Sequence, residues 1–538
     1  MILLLPIGIL LLAALAIAIL DRLRPKFGTS WLIASLTTIL TWLFIIFLRL
    51  RLPTSLELLS WESIDLNLIG EFSLLLDYDS WPYVLSLITI ALAIILTGAA
   101  RTRYDSTPRS WSASLVITAL GLLALQSGTS LTLMVAWVMV DLLELFYLLR
   151  LNDADRYLLR IILSYSVRLA SILSLILATT QAWQVGGPFD LTQIPPRTGF
   201  FFLLAGGLRL GVFPLNLPFL QEPGMRRGAG NIIRLAPVAS SLCLLARLPA
   251  DLLPLTLIRW MPLFEGLLAA TALYSAFRWL RTSDEILGRP YWIVGWSSLA
   301  TVSVLNGAPS TSLAWGTALI LPGSLLFLYY PRVQRMNFLL HFGLIGLVGL
   351  PFTPLASGWA GLTADGFTFW TVLFLFAHAI LILGYLNRAL QPGGASGVLE
   401  SWARLVYPLG LIIIIQANIM LGLIGWPGSF TLGMWWYPLI SLLLVLGAVF
   451  LSRRLGIRPP YIQLPERSEY KKVLDWLLPR LESFFRMDWV YQVLWWVKNF
   501  LGKIIRAFTN LIESEGGLLW TVLLFVLLIA ILTGQGAN

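Results

Sequence analysis

Two proline-containing stretches, GGLRLGVFPLNLPFL at 206–220 and GLVGLPFTPLASGW at 346–359, decide the fold. Each lies in an apolar segment of about 20 residues, which is long enough to cross a membrane as a helix. A proline inside a helix removes a backbone hydrogen bond that lipid does not replace, so such a break is tolerated only inside protein or beside water. Each stretch therefore predicts a broken transmembrane helix within a larger bundle. The predicted break positions are Pro214, Pro218, Pro351 and Pro354.

The composition of the whole chain agrees with a membrane bundle. The 538 residues are 58% hydrophobic and only 12% charged, whereas a soluble protein is about a quarter charged. A soluble globule has too little interior to hide this much apolar surface, and a disordered chain is poor in these residue types. The apolar runs are unbroken and of helical length, which excludes the short alternating strands of a lipid-embedded β-barrel. The sequence predicts an all-α polytopic membrane protein.

Sixteen apolar segments are long enough to span the bilayer. They lie at 2–20, 31–49, 82–99, 111–127, 130–149, 158–182, 199–219, 230–248, 262–280, 291–306, 312–330, 337–354, 367–388, 404–425, 434–452 and 517–534. Lys and Arg collect in alternate loops, as in 101–109 and 278–289, and are few in the opposite loops, which is typical of a cytoplasmic face. This distribution places both termini outside. It also explains the net charge of +10 without a nucleic-acid partner.

The two broken segments are the seventh and the twelfth, five spans apart. Two five-helix units, spans 4–8 and 9–13, place each break at the same position within its unit. Because five is odd, the second unit is inverted, and inverted repeats with matched broken helices are typical of transporters. The predicted regions are 1–110 (spans 1–3 with an outer loop), 111–250 (first repeat), 260–390 (second repeat), 400–455 (spans 14 and 15), 466–512 (a lateral helix) and 517–534 (a C-terminal anchoring helix).

Charged residues within the predicted spans are few, and five of them form the candidate proton or ion path. They are Asp141, Glu144, Arg168, Arg209 and Arg234. An intramembrane charge costs several kcal/mol unless it is paired or hydrated, so each is a functional hypothesis. Asp141 and Glu144 are three residues apart and share a helix face. Two interpretations stay open: a static pairing of these acids with Arg168 or Arg209, and handling of H⁺ or Na⁺.

The remaining chemistry-bearing residues predict no catalytic residue, no metal site and no cofactor. A single cysteine, Cys243, excludes Cys-ligated clusters and structural zinc. Two histidines, His341 and His378, are too few for a pair of bis-His haems, and each is expected to be packed or interfacial rather than part of a proton relay. The sequence contains no Gly-rich nucleotide-binding motif.

The segment 466–512 has a different composition from the spans. It contains eight basic residues, and its apolar residues recur at helical spacing, which predicts an amphipathic helix on a surface. Pro479 divides or kinks it. Two interpretations remain: a helix that lies against lipid, and a strap along neighbouring helices or a neighbouring subunit.

Several motifs resemble those of one protein family. GGLRLGVFP at 206–214 and SSLCLLARL at 240–248 resemble the Gly-Lys-x-x-x-Phe-Pro element and the closing Leu-Leu-Ala-Arg of antiporter-like membrane subunits. SDEILGRPY at 283–291 and GLPFTPLASGW at 349–359 resemble two further elements of that family. These subunits occur in respiratory complex I (NADH:quinone oxidoreductase), Mrp cation/proton antiporters and membrane-bound hydrogenases. The predicted lateral helix makes the chain most similar to the distal large subunit.

The resemblance implies other membrane subunits as partners, H⁺ or Na⁺ as the transported ion, and the cytoplasmic membrane of a prokaryote. The chain departs from the family at several proton-path positions. Val138 follows Trp137 where the family has a Glu, and Arg209 replaces a family Lys. Two further lysines of the family correspond to Gly323 and to a position near Leu362 in this chain. Three functions stay open: a conducting subunit of a translocating complex, a non-conducting structural subunit of such a complex, and a self-contained solute transporter.

Overall fold

The computed structural model describes residues 1–23, 27–59, 71–101, 107–150, 154–186, 190–213, 227–282, 284–329, 336–364, 366–390 and 401–454, with scattered positions in 492–509 and residues 522–529. The chain divides into two compact units, Met1–Gln463 and Leu464–Asn538. They are described separately below.

The first unit is built from helices and one short hairpin. Its first elements are α1 (Leu4–Leu23), α2 (Phe27–Leu48), β1 (Thr54–Leu59), β2 (Phe72–Leu76), α3 (Trp81–Gly98), α4 (Pro108–Leu125), α5 (Ser130–Leu149) and α6 (Ala154–Gln184). They are followed by α7 (Phe200–Leu210), α8 (Ala229–Ala246), α9 (Leu255–Ile258), α10 (Met261–Arg281), α11 (Glu285–Leu305) and α12 (Ser312–Leu328). The last are α13 (Asn337–Val348), α14 (Ala356–Leu362), α15 (Phe369–Ala389), α16 (Ser401–Ile424) and α17 (Trp436–Arg454).

Ten of the described helices are long and apolar enough to cross a membrane: α1 to α6, α8, α12, α15 and α16. Three helices, α3, α8 and α12, are buried along their whole length although they are apolar enough to cross a membrane. They pack against one another at the centre of the unit. The exposed leucines and isoleucines of α1 and α2 form an apolar outer surface. The chain is therefore an integral membrane protein of predominantly α-helical fold, as its composition predicts.

The hairpin lies in the predicted first outer loop, which the helical patterns do not describe. Strand β1 pairs antiparallel with β2, with Thr54 opposite Leu76. The chain then turns directly into α3, where Asp77 accepts hydrogen bonds from the backbone N–H and the hydroxyl of Ser80. The hairpin therefore fixes the beginning of α3.

Both broken helices end on a glycine in the left-handed conformation. Gly211 (φ 76°, ψ 22°) closes α7, and Gly349 (φ 74°, ψ 24°) closes α13. Glycine adopts this conformation without the steric cost that a Cβ brings, which makes it a common helix terminator. The break after α13 thus begins at Gly349, and Pro351 and Pro354 lie in the turns before α14. Pro214 and Pro218 lie outside the described residues.

In the second unit, most of the predicted lateral helix at 466–512 lies outside the described residues. The described positions between 492 and 509 are helical, and the large side chains among them are exposed: Trp495, Trp496 and Phe500. The rings of Trp496 and Phe500 stack at 5.6 Å between centroids. Residues 522–529, within the predicted last span, are helical, apolar and exposed.

Candidate functional site

All five charged residues singled out in the sequence meet in one buried group, here called the ion cluster. Asp141 and Glu144 come from α5, Arg168 from α6, Arg209 from α7 and Arg234 from α8. None of the five is more than 3% exposed. Four successive helices therefore each contribute at least one charge to a single point inside the bundle.

Asp141 is held mainly by Arg209. The Nη1 and Nη2 atoms of Arg209 donate to Oδ2 and Oδ1 of Asp141 at 2.6 and 2.7 Å, which is a two-pronged pairing that fits the planar guanidinium. Arg168 Nη1 also donates to Asp141 Oδ1, at 3.2 Å. Both oxygens of this carboxylate are therefore occupied by guanidinium groups.

Glu144 is held by the other two arginines. Arg234 Nη1 donates to Glu144 Oε1 at 2.6 Å, and Arg168 Nη2 donates to the same oxygen at 3.0 Å. Arg168 Nη1 also donates to Glu144 Oε2. Arg168 thus bridges the two carboxylates, and both static pairings that the sequence allowed, with Arg168 and with Arg209, occur together.

Local structure explains why these side chains converge. Asp141 and Glu144 lie three residues apart on α5 and project from one face. Arg209 lies in the last turn of α7, where unpaired backbone carbonyls favour a cation. Its guanidinium lies 4.4 Å from the ring centroid of Trp137, and the indole N–H of Trp137 donates to Ser240 on α8 at 3.0 Å. A cation–π contact and a hydrogen-bonded ring therefore fix Arg209 against α5 and α8.

The arrangement is an ion network in which arginines occupy both carboxylates. Three guanidinium groups face two carboxylates, so the cluster carries one excess positive charge. A guanidinium donates hydrogen bonds but does not give up its proton in proteins. All four carboxylate oxygens already accept hydrogen bonds from arginine. Within the described residues no group of three His, Cys, Asp or Glu side chains is placed to hold a metal ion.

A different group of residues surrounds His378, here called the aromatic cluster. It consists of Trp296 from α11, Trp315 from α12, Trp359 from α14 and His378 from α15. The imidazole is fully buried, with the three indole rings at 5.5, 5.7 and 5.0 Å between centroids. No sequence pattern predicts this grouping, because tryptophans in uniformly apolar helices do not reveal which face they occupy.

Both ring nitrogens of His378 are occupied. Nε2 lies 3.0 Å from the carbonyl oxygen of Leu347, and Nδ1 lies 2.7 Å from the hydroxyl of Ser441. A neutral imidazole satisfies both contacts by donating to the carbonyl and accepting from the hydroxyl. Leu347 lies in the last turn of α13, so His378 caps the end of the second broken helix. The other histidine, His341, is exposed, and its Nδ1 contacts the carbonyl oxygen of Asn337 at 2.9 Å.

An arginine lies at the end of α8 and another at the end of α15, and the two have different partners. Arg247, after α8, donates through Nε to Asp77 Oδ2 at 3.1 Å and through Nη1 to the carbonyl of Ser127 at 2.6 Å. It is only 9% exposed, so this arginine is buried and paired at the end of its helix rather than extended into the solvent. Burial, reinforced by the neighbouring Asp77 and opposed by Arg247, raises the pKa of Asp79 to about 6.

Arg388, in the last turn of α15, donates to backbone carbonyls and lies against an indole ring. Its Nη1 donates to the carbonyl of Gly384 at 2.9 Å, and its Nη2 donates to the carbonyls of Trp279 and Thr282, the latter at 2.7 Å. The guanidinium also lies 3.5 Å from the ring centroid of Trp279. Backbone carbonyls and an aromatic face therefore hold this cation.

Comparison with known proteins shows similarity in structure only. No protein-family model and no curated protein matches the sequence. A chain of the Mrp complex from Dietzia sp. superimposes with a TM-score of 0.69 at 15% identity, covering 100% of this chain and 63% of that chain. This chain thus spans less than two thirds of the length of that relative.

Two further solved structures match along their whole length. A chain of the membrane-bound sulfane sulfur reductase, an archaeal respiratory membrane complex, has a TM-score of 0.67 at 14% identity and covers 98% of this chain and 100% of that chain. A chain of respiratory complex I from Thermus thermophilus has a TM-score of 0.59 at 18% identity, with 83% and 100% covered. The chain therefore has the fold of these three chains of membrane complexes, in agreement with the resemblance that the motifs around Arg209 indicate.

Proposed function

We propose that this chain is a membrane subunit of a multisubunit proton- or cation-translocating complex, of the class that includes Mrp antiporters, complex I and membrane-bound hydrogenases. Within that complex we assign it a structural role, in which it keeps the antiporter-like fold but conducts no ion itself. The three structural relatives all belong to multisubunit membrane complexes, which supports the first part. The second part depends on the chemistry of the two clusters.

The repeat architecture gives the frame for this proposal. We assign α4–α8 and α10–α15 as the two inverted five-helix units, with α13 and α14 counted as the two parts of one broken helix. The matched dihedral angles of Gly211 and Gly349 support this assignment. The ion cluster draws on the second to fifth helices of the first unit, and the aromatic cluster draws on the corresponding elements of the second. The two clusters then occupy equivalent positions in the two units, one with charged and the other with aromatic side chains.

The observation that carries the structural role is that the carboxylates and the imidazole of the two clusters already have their hydrogen-bond partners. Every carboxylate oxygen of the ion cluster is bonded to arginine, and both nitrogens of His378 are occupied inside a shell of indole rings. The sequence contains no lysine between residues 27 and 470. A buried lysine can lose its proton, whereas an arginine stays charged, so this core lacks the residue type best suited to pass a proton on.

The remaining assignments follow the sequence patterns. We assign sixteen membrane spans, both termini on the outer side of a prokaryotic cytoplasmic membrane, and the segment 466–512 as the contact with partner subunits. Deleting 468–512 is expected to release partner subunits during purification in mild detergent while Met1–Gln463 keeps its cooperative melting. Unchanged co-purification would leave a helix that contacts only lipid.

The competing function is conduction of H⁺ or Na⁺ through Asp141 and Glu144, which is favoured by the position of the ion cluster beside the break after α7. Flux measurements on the whole complex in proteoliposomes separate the two. The triple variant Asp141→Asn, Glu144→Gln and Arg209→Ala should lower the melting temperature but leave the flux per assembled complex unchanged. Arg109→Gln, which alters an exposed arginine paired with Asp21, is the control. Loss of flux in the assembled triple variant would establish the conducting role instead.

A further inference from the structure

The beginnings of α8 and α11 are tied together by an ion pair. Arg227, just before α8, places Nη1 2.5 Å from Oε1 of Glu285, the first residue of α11. The two helices also pack against each other. Four residues, or about one turn, farther along each helix lie Asn231 and Arg289. Asn231 is fully buried and Arg289 is 2% exposed.

These two residues hold polar atoms that the rest of the fold does not satisfy. Nε and Nη2 of Arg289, and both Nδ2 and Oδ1 of Asn231, have no hydrogen-bond partner within the part of the chain that the structure describes. A buried polar group without a partner costs free energy, and a charged one costs more. Native proteins usually resolve such a site with a bound ion or ordered water.

The charges near the unsatisfied atoms of Arg289 and Asn231 make a bound ion a better explanation than water. Arg234, one turn beyond Asn231 on α8, already pairs with Glu144, and Glu285 already pairs with Arg227. Asp284 caps α11 through its bond to the backbone N–H of Ile286. Within the described residues Arg289 therefore forms no ion pair, although Asp284 and Glu285 are near enough to act on its charge.

One face of the Arg289 guanidinium is covered by an aromatic ring. The Cζ atom lies 5.2 Å from the ring centroid of Phe327 on α12, a contact that favours the cation but accepts no proton from its N–H groups. The Nε and Nη2 atoms lie on one edge of the planar guanidinium, an arrangement that suits an anion. Ordered water would satisfy the hydrogen bonds but would leave the charge uncompensated.

We propose that a small inorganic anion of the size of chloride binds between Arg289 and Asn231. The Nε and Nη2 atoms of Arg289 donate to it, and the amide nitrogen of Asn231 supplies a third donor. The anion neutralises Arg289 and joins the first turns of α8 and α11. This site is separate from the ion cluster, and it does not depend on whether the chain conducts ions.

The test uses the purified protein in detergent with chloride exchanged for gluconate at constant ionic strength. Because a ligand that binds only the folded state stabilises it by mass action, the melting temperature should rise with chloride concentration. Arg289→Gln should abolish that rise. Asn231→Asp should also abolish it, because the new carboxylate occupies the anion's place beside Arg289. This variant should melt in gluconate at or above the temperature of the wild type in saturating chloride.

Asn418→Asp on α16 is the matched control, since the amide nitrogen of Asn418 lies against Gly346 rather than against an arginine. It should lower the melting temperature and keep the chloride response. The proposal is overturned if the wild type melts at the same temperature in chloride and gluconate, which would mean that water alone fills the gap. It is also overturned if Asn231→Asp retains the wild-type chloride response. Bromide in place of chloride should give anomalous scattering between residues 231 and 289.

Discussion

The two helix breaks share a left-handed glycine at the end of the helix but differ in the side chains around it. α7 ends at Gly211, near Arg209 of the ion cluster. α13 ends at Gly349, near His378 of the aromatic cluster. In each case a side chain that donates hydrogen bonds lies at the broken end, where helix carbonyls lack intrahelical partners. The first break has a charged donor balanced by carboxylates, and the second has a neutral donor surrounded by indoles.

The same contrast recurs at the ends of α8 and α15. Arg247 is paired with Asp77, while Arg388 donates to backbone carbonyls and stacks on Trp279. At the breaks and at these two helix ends, one set of buried groups is therefore stabilised by ion pairs, and the other by aromatic rings and backbone carbonyls. This difference shows that the broken-helix geometry does not itself require ion pairs.

The largest expected effect comes from Arg209→Ala. The substitution removes both hydrogen bonds that hold Asp141 at 2.6 and 2.7 Å and leaves the carboxylate with only the longer contact to Arg168. Breaking one partner of a buried ion pair costs about 3–5 kcal/mol. Chemical denaturation of the purified protein measures this loss. Pairing Arg209→Ala with Asp141→Asn should recover part of it, and a coupling energy below about 0.5 kcal/mol would contradict the pairing.

His378→Leu tests the second break, at the end of α13, and should lower the free energy of unfolding by less than Arg209→Ala does. Leucine keeps the apolar volume but leaves the carbonyl of Leu347 and the hydroxyl of Ser441 without their partner. Two unsatisfied polar groups cost roughly 2–3 kcal/mol together. His341→Leu, at an exposed position, is the control and should be close to neutral. If both histidine variants melt alike, His378 does not cap α13.

The sequence identified the residues of the ion cluster because charge is rare in the spans. Asp141, Glu144, Arg168, Arg209 and Arg234 stand out by residue type alone, and the cost of burying them unpaired predicts that they meet. The same rule does not single out the members of the aromatic cluster, since Trp and His are compatible with a packed apolar helix. Nor does it give the contact of His378 with Leu347 and Ser441, which lie 31 and 63 residues away.

The sequence predicts the breaks from prolines, and the structure adds a glycine at the second of them. The prolines marked the two segments, whereas Gly349 supplies the backbone turn, and Pro351 and Pro354 follow it. The hairpin of β1 and β2 was not foreseen, because a search for long apolar periods does not detect two short strands in a loop. Asn231 and Arg289 were missed for a different reason: each is an ordinary residue at a helix beginning until its unsatisfied atoms are seen.

Gly349→Ala measures how strongly the second break depends on its glycine. The alanine would have to keep a φ of 74°, which costs roughly 1–2 kcal/mol for a residue with a Cβ. Its Cβ would also lie 2.7 Å from Nε1 of Trp359, so the aromatic cluster would have to shift. Gly447→Ala on α17 is the control, because a Cβ there meets nothing within 4 Å. Thermal melting should distinguish the two, and equal melting would show that the break does not depend on Gly349.

The smallest expected effect is pH-dependent and belongs to the half that uses ion pairs. The pKa of Asp79 is raised from 3.8 to about 6, first by burial and then by the neighbouring Asp77. Between these two values the folded state binds a proton that the unfolded state has released, so this residue's contribution to stability is present below pH 4. It is lost as the pH rises through about 6.

Asp79→Asn removes this dependence. Above pH 6 the variant should melt at a higher temperature than the wild type, because it no longer buries a charged carboxylate beside Asp77. Below pH 4 the two proteins should melt alike, since the wild-type side chain is then neutral in both states. Arg388→Gln removes hydrogen bonds to backbone carbonyls and a contact with an indole ring, groups that do not titrate between pH 4 and pH 7. Its effect on the melting temperature should therefore change less between these pH values than that of Asp79→Asn. If the Asp79→Asn difference does not change between pH 4 and pH 7, the end of α8 is no more sensitive to protons than the end of α15. The contrast between the two halves would then be limited to the two clusters at the breaks.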